Sequence, residues 1–289
     1  MINLLFCILC STLLVVLLKV FSVYKIPLLQ ALIFNYITAS ILGFTLNEWS
    51  TPLGDIVTAD WSKTALILGI SFIGIFYLTG LTAKNVGISI TSVANKMSLI
   101  IPVLAAYVIY NDSLGWLKIT GIILALIGIY LSSTKKGRLS FPSKHIWLPI
   151  LVFVGSGILD TLVNFAKKQQ LTESDEVVFS SFIFLVAGSV GIIIWLTLVA
   201  SGKDRFSWKA LLGGVALGVP NFGSIYFMLK AFAIPHWESS QVIPVINMGV
   251  VLTSALAGLL LFKEKLDRTN WIGIVLAAIS IGLISGVLI

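Results

Sequence analysis

Ten stretches of this chain stay apolar for about the length of a bilayer crossing. They lie near 2–24, 28–46, 64–83, 87–109, 116–133, 146–167, 177–200, 209–233, 238–261 and 270–288. A helix needs about 20 mostly apolar residues to cross hydrocarbon. Unpaired peptide groups are too costly in lipid, so crossings are helices or closed barrels. The runs here are long and do not alternate, which excludes a barrel. Charged residues make up 11% of the chain, against about 25% in a soluble domain, so most of the surface must face lipid or itself. The expected fold class is an all-α membrane protein with ten transmembrane helices.

The N-terminal run has no basic residue before it and no small-x-small cleavage site close behind, so it reads as a retained first span. Cys7 and Cys10 are the only cysteines. Their C-x-x-C spacing is a weak metal or redox cue, and in apolar helix it reads as two small buried side chains. The net charge of +7 is scattered among short loops, which argues against a nucleic-acid partner. His145 and His236 are the only histidines and lie near loops, so no histidine metal site is visible. There is no phosphate-cradling glycine loop and no nucleophile motif. No cofactor is expected.

The chain repeats itself. LGISFIGIFY from Leu68 and LGVPNFGSIY from Leu217 share Leu68/Leu217, Gly69/Gly218, Gly74/Gly223 and Tyr77/Tyr226, a shift of 149. GIILALIGIYLSS from Gly121 and GIVLAAISIGLIS from Gly273 agree at eight of thirteen positions, a shift of 152. The predicted organisation is a first five-helix repeat over 1–137 and a second over 138–289. A unit with an odd number of spans enters the membrane from the opposite side when duplicated, giving two inverted repeats, an arrangement common in secondary transporters.

Two turns carry a family resemblance. Pro102 to Asp112 leads into YNDSLGW, and Val251 to Leu266 ends in LFKEKL. With the five-plus-five duplication, the chain resembles the EamA-type transporters of the drug/metabolite transporter superfamily. Lys263-Glu264-Lys265-Leu266 is close to that family's acidic-basic-Leu turn, while Asp112-Ser113-Leu114 lacks the base. The resemblance implies transport and a cavity lined by the first, third, fourth, sixth, eighth and ninth helices, with the fifth and tenth outside. It also implies cytoplasmic termini.

Charge implies the reverse. Loops after odd-numbered spans hold thirteen Lys and Arg, including Lys135, Lys136, Arg138 and Lys144, and those after even-numbered spans hold five: Lys63, Lys118, Lys167, Lys168 and Lys230. Excess basic charge marks the cytoplasmic side, which puts both termini outside.

Polar groups inside the spans point to a site. Lys96 falls about nine residues into the fourth span, and a charge at the bilayer centre costs at least about 2.5 kcal/mol. Thr91, Asn95, Ser98 and Pro102 share one helical face beside it. The repeat shift carries this face onto Ser240, Pro244 and Asn247, with Gln241 and Trp237 alongside. In the sixth span Ser156, Asp160 and Asn164 share a face, and Asp160 is expected to pair with Lys96 or to serve as a proton site. Glu238 suits a helix N-terminus. Tyr77 and Tyr226 are a repeated pair able to close over a solute. Pro220 is expected to interrupt the eighth span beside Asn221, and Pro102 and Pro244 to act similarly in the fourth and ninth. Asn35, Tyr36 and Thr38 read as packing. Trp49, Trp61, Trp208 and Trp271 read as interfacial belt.

The candidate substrate-binding residues are thus Tyr77, Thr91, Asn95, Lys96, Ser98, Asp160, Asn164, Asn221, Tyr226, Trp237, Gln241 and Asn247. The predicted function is secondary transport of a small organic solute, an amino acid or related metabolite, by alternating access in the inner (plasma) membrane. The expected partners are that solute and membrane lipid, and monomer and homodimer remain equally open. The rival readings are a channel, a membrane-embedded enzyme acting on lipid, and a non-transporting scaffold; the chain is expected not to be an enzyme.

Overall fold

The structure is a computed structural model and describes residues 1–86, 88–113, 115–133, 145, 147–263 and 267–285. Leu114, Glu264, Lys265 and Leu266 of the two family-like turns lie outside the described residues, as do Lys135, Lys136, Arg138 and Lys144. The described residues form α-helices and no strand. In chain order these are α1 (Ile2–Val23), α2 (Leu28–Leu46), α3 (Leu53–Thr58), α4 (Ser62–Asn85), α5 (Ile88–Met97), α6 (Ile100–Tyr110), α7 (Trp116–Ser133), α8 (Trp147–Gln169), α9 (Asp175–Ala200), α10 (Trp208–Ala231), α11 (Ser239–Phe262) and α12 (Arg268–Ser285). With α5 and α6 taken together, nine spans among the described residues are long and apolar enough to cross a membrane, and α7 is a tenth, shorter apolar helix. Only 28% to 56% of each span's apolar window is buried within the protein. The remainder is greasy surface that needs lipid to cover it. The chain is a ten-span, multi-pass membrane protein.

The fourth span is two helices. Pro102 has no N–H to give to the Ser98 carbonyl, and its ring crowds that carbonyl. The chain therefore tightens there: Leu99 N donates to Lys96 O at 3.4 Å and Ile101 N to Ser98 O at 2.9 Å, both three residues back. Ser98 Oγ donates to Asn95 O at 2.5 Å, satisfying a carbonyl at the end of α5. The other prolines act differently. Pro220 lies within α10 and Pro244 within α11, and both helices run through. The expected interruptions of the eighth and ninth spans are thus absent. α10 approaches α2 closely over one turn: a Cβ on Gly214 would sit 2.5 Å from Ala31 O, and one on Gly218 2.6 Å from Thr38 Cβ.

The helices form two compact units. The first comprises Ile75–Asn164 and Ala231–Ile289 with Met1, and the second Ile2–Gly74 and Phe165–Lys230. Each takes helices from both halves of the sequence. In the first unit α7 packs on α12, the helices that carry the second sequence match. Gly121 faces Ile284, Gly128 faces Ala277, and Gly273 faces Ser132, so the two run antiparallel. Asn270 Nδ2 donates to Leu131 O and Ser132 O, each at 3.1 Å, closing the α7 C-terminus. In the second unit α2 packs on α9, with Gly43 against Ser181 and Ile33 against Gly191, again antiparallel. Corresponding helices that pack in opposite directions are what an inverted duplication produces. Trp61 departs from its expected belt position: it is 3% exposed and meets Phe179 edge-on at 5.7 Å.

Candidate functional site

In the first unit, α5, α8 and α11 bring polar side chains together. Lys96 lies in the last turn of α5, where carbonyls at the negative end of the helix dipole favour a cation. Its Nζ is 3.5 Å from Asn247 Oδ1 on α11, the helix related to the fourth span by the repeat. Asn247 Nδ2 donates to Ile243 O at 3.1 Å, which turns its Oδ1 toward the lysine. Asp160 on α8 is within electrostatic reach of Lys96. One turn before it, Ser156 Oγ accepts from Asn95 Nδ2 at 3.0 Å. One turn after it, Asn164 Oδ1 accepts from Ser239 Oγ at 2.9 Å, and both residues are buried. Thr91 and Ser98 are buried on α5 and at its end.

The remaining predicted residues sit elsewhere. Gln241 is committed to helix ends: its Oε1 accepts from Glu238 N at 3.0 Å and its Nε2 donates to Ile284 O at 2.9 Å. Trp237 is in the turn before α11, its N bonded to Ile234 O. Tyr77 is 63% exposed on α4. Asn221 and Tyr226 belong to the second unit.

The N-terminus of α11 gathers two carboxylates. Asp112 is buried and accepts from Ser240 N at 2.9 Å. Glu238 accepts from Ser113 N at 2.8 Å and Ser113 Oγ at 3.0 Å. Lys118 Nζ approaches it at 2.6 Å. Burial pushes the Glu238 carboxyl up, but the hydrogen bonds from Lys118 and Ser113 outweigh it and hold the group below the usual carboxylate range. The αL residue that closes α6, Asn111, matches the one that closes α11, Lys263, at the same shift of 152. The acidic turn of the first repeat is therefore a helix cap for the second.

The second unit holds an ion cluster that the sequence reading missed. Glu176 is wholly buried, with Lys167 at its Oε1 and Lys230 Nζ 2.9 Å from its Oε2. Lys230 also lies 5.8 Å from the centre of the Tyr226 ring. Counting Lys167 and Lys230 as loop charges hid the pairing. The available signal was a glutamate in the first turn of one span with a lysine in the last turn of each neighbouring span. Tyr226 also stacks on Phe222 at 5.8 Å, and both line an apolar pocket of ≈ 300 Å³ with Cys10, Leu42 and Pro220.

The EamA-like transporter family matches residues 147–286. An uncharacterized protein of Haemophilus influenzae is 31% identical over 279 residues, 94% of either chain. The chain belongs to the EamA-like transporter family. A solved crystal structure superposes on this EamA protein with a TM-score of 0.77 over 99% of this chain and 96% of that one. At 12% identity that likeness concerns the fold alone, which the two chains share along nearly their whole length.

Proposed function

We propose that this EamA protein is a secondary transporter of a small organic solute, using the α5–α8–α11 cluster of the first unit as its binding site. The supporting observation is the Lys96 ammonium, inside a span and directed at Asn247 of the repeat-related helix. An ammonium at that depth is costly, and packing between helices is ordinarily met by Ser, Thr and Asn without charge. Lys96 with Asn247 can hold a carboxylate, and Asp160 can hold Lys96 when the site is empty or carry a proton through the cycle. The family resemblance favours an amino acid or related metabolite, moved by export or exchange across the inner membrane through alternating access. The protein acts without chemical change to the solute.

A thermal-shift screen of the purified protein against amino acids, nucleosides, sugars and cations identifies the solute class, since a ligand of the folded state raises Tm by mass action. In reconstituted vesicles, Lys96→Ala is then expected to lower uptake of that solute at least about tenfold, the loss of one charge-assisted hydrogen bond of about 1.5–3 kcal/mol. Unchanged uptake and affinity would remove Lys96 from the path. Saturation with solute separates a carrier from a channel.

A further inference from the structure

The apolar pocket of the second unit is a groove that faces the membrane, and one end of it carries a charge. Its floor lies where α1 meets α10: a Cβ on Gly223 would sit 2.7 Å from Cys10 Sγ, and both residues line the pocket. Leu13 on α1, Leu46 on α2 and Val219 on α10 also line it, and each is more than half exposed. All three belong to spans whose outer faces are covered by lipid, so the groove is continuous with the lipid-facing surface. It also has a direction. Gly43 packs against Phe222, so Leu46, the last residue of α2, lies near the last turns of α10. From Val219 to Tyr226 the groove follows α10 for about 10 Å at 1.5 Å per residue, against roughly 15 Å of hydrocarbon in one leaflet.

We propose that this groove binds one membrane phospholipid, with an acyl chain laid between α1, α2 and α10 and the phosphate on Lys230. The site does not depend on the transport reading. Tyr226 closes the groove at the span end, and Lys230 Nζ lies 5.8 Å from the centre of its ring. Glu176 Oε2 is 2.9 Å from the same ammonium, and the other oxygen of Glu176 is shared with Lys167. An ammonium has three protons, so one carboxylate oxygen does not exhaust it, and the Lys230 side chain remains 27% exposed. Lysine takes phosphate as a point charge, and a charge-assisted hydrogen bond is stronger than a neutral one. A slot of ≈ 300 Å³ walled by leucine, valine, proline and phenylalanine, with a tyrosine and a lysine where the span ends, has the polarity of a lipid: hydrocarbon below and anion above.

The test is native mass spectrometry of the full-length protein in detergent, titrated with palmitoyl-oleoyl phosphatidylethanolamine or with the diacylglycerol of the same chains. The wild type is expected to take up one phospholipid saturably, ahead of any further ones and at least about tenfold more tightly than the diacylglycerol, the gain of one charge-assisted hydrogen bond. Val219→Trp, which fills the groove from its rim, is expected to lose this first site for both lipids. Leu260→Trp, at an exposed position on α11 in the other unit, should keep it. Lys230→Gln should bring the phospholipid down to the affinity of the diacylglycerol. A series of equal weak additions that Val219→Trp leaves unchanged overturns the proposal, and so does equal wild-type affinity for the two lipids. A dimer that binds no lipid and dissociates in Val219→Trp gives the groove to a second copy of the chain instead. If Lys230→Gln does not fold, the two lipids on the wild type and on Val219→Trp still decide the matter.

Discussion

Glu238 and Glu176 are both paired with lysine, yet burial makes them answer differently to mutation. Glu238 sits at the edge of a span with its side chain 35% exposed. Its folded pKa is lowered, so its stabilising contribution is complete above the ordinary carboxylate range, about 4.3, and is lost as pH falls through the folded value. Glu238→Gln is expected to lower stability at pH 7 by about 1 kcal/mol or less, read as a small fall in Tm, and wild type and variant should converge on acidification. A difference that grows toward low pH would contradict this. Glu176 is closed off from solvent between Lys167 and Lys230. Glu176→Gln strips the buried carboxylate from two half-buried ammoniums, a loss of about 1.5–3 kcal/mol, so its Tm should fall below that of Glu238→Gln in the same buffer. At this scale the sequence exposed Lys96, because one charge in an apolar run is conspicuous. It hid Glu176, because a carboxylate near a span end looks like a loop residue until its partners are placed.

Among the helices, closeness of approach decides what can be changed. A Cβ on Gly273 would lie 2.3 Å from Ser132 N, whereas one on Gly74 meets nothing within 4 Å. Gly273→Val should push α12 from α7 and destabilise by about 1–3 kcal/mol. Gly74→Ala should change stability by less than about 1 kcal/mol. Equal Tm losses would show that α7 and α12 are not packed backbone to backbone. Pro102→Ala restores a donor opposite Ser98 O, so α5 and α6 should join, keeping Tm while displacing Lys96 and lowering uptake. Ten spans and their duplication were legible, because length and apolarity set them. Which of the three expected breaks forms was not, since Pro102, Pro220 and Pro244 look alike in sequence and, of these, only Pro102 lies just past a helix break. Trp61 was misread for a similar reason: proximity to a span end does not reveal Phe179 on another helix.

For the molecule as a whole, the open question that charge can address is which way it lies. Three of the five basic residues after even-numbered spans, Lys118, Lys167 and Lys230, are tied to carboxylates, and the count of basic residues favours the odd-numbered side as the cytoplasmic one. In a background lacking Cys7 and Cys10, a cysteine at Ser201 should label only after permeabilisation, and one at Glu173 in intact cells. The opposite pattern puts the termini in the cytoplasm.

The duplicated halves are not copies at the place that matters most. One of the paired spans is severed beside a lysine, while its counterpart continues past Pro244 unbroken and carries Asn247 instead. A carrier with perfect two-fold symmetry would look the same to cargo arriving from either bank. Here the two approaches are built from different parts, so vesicles holding the protein in mixed orientations should yield uptake curves that resolve into two half-saturation values rather than one.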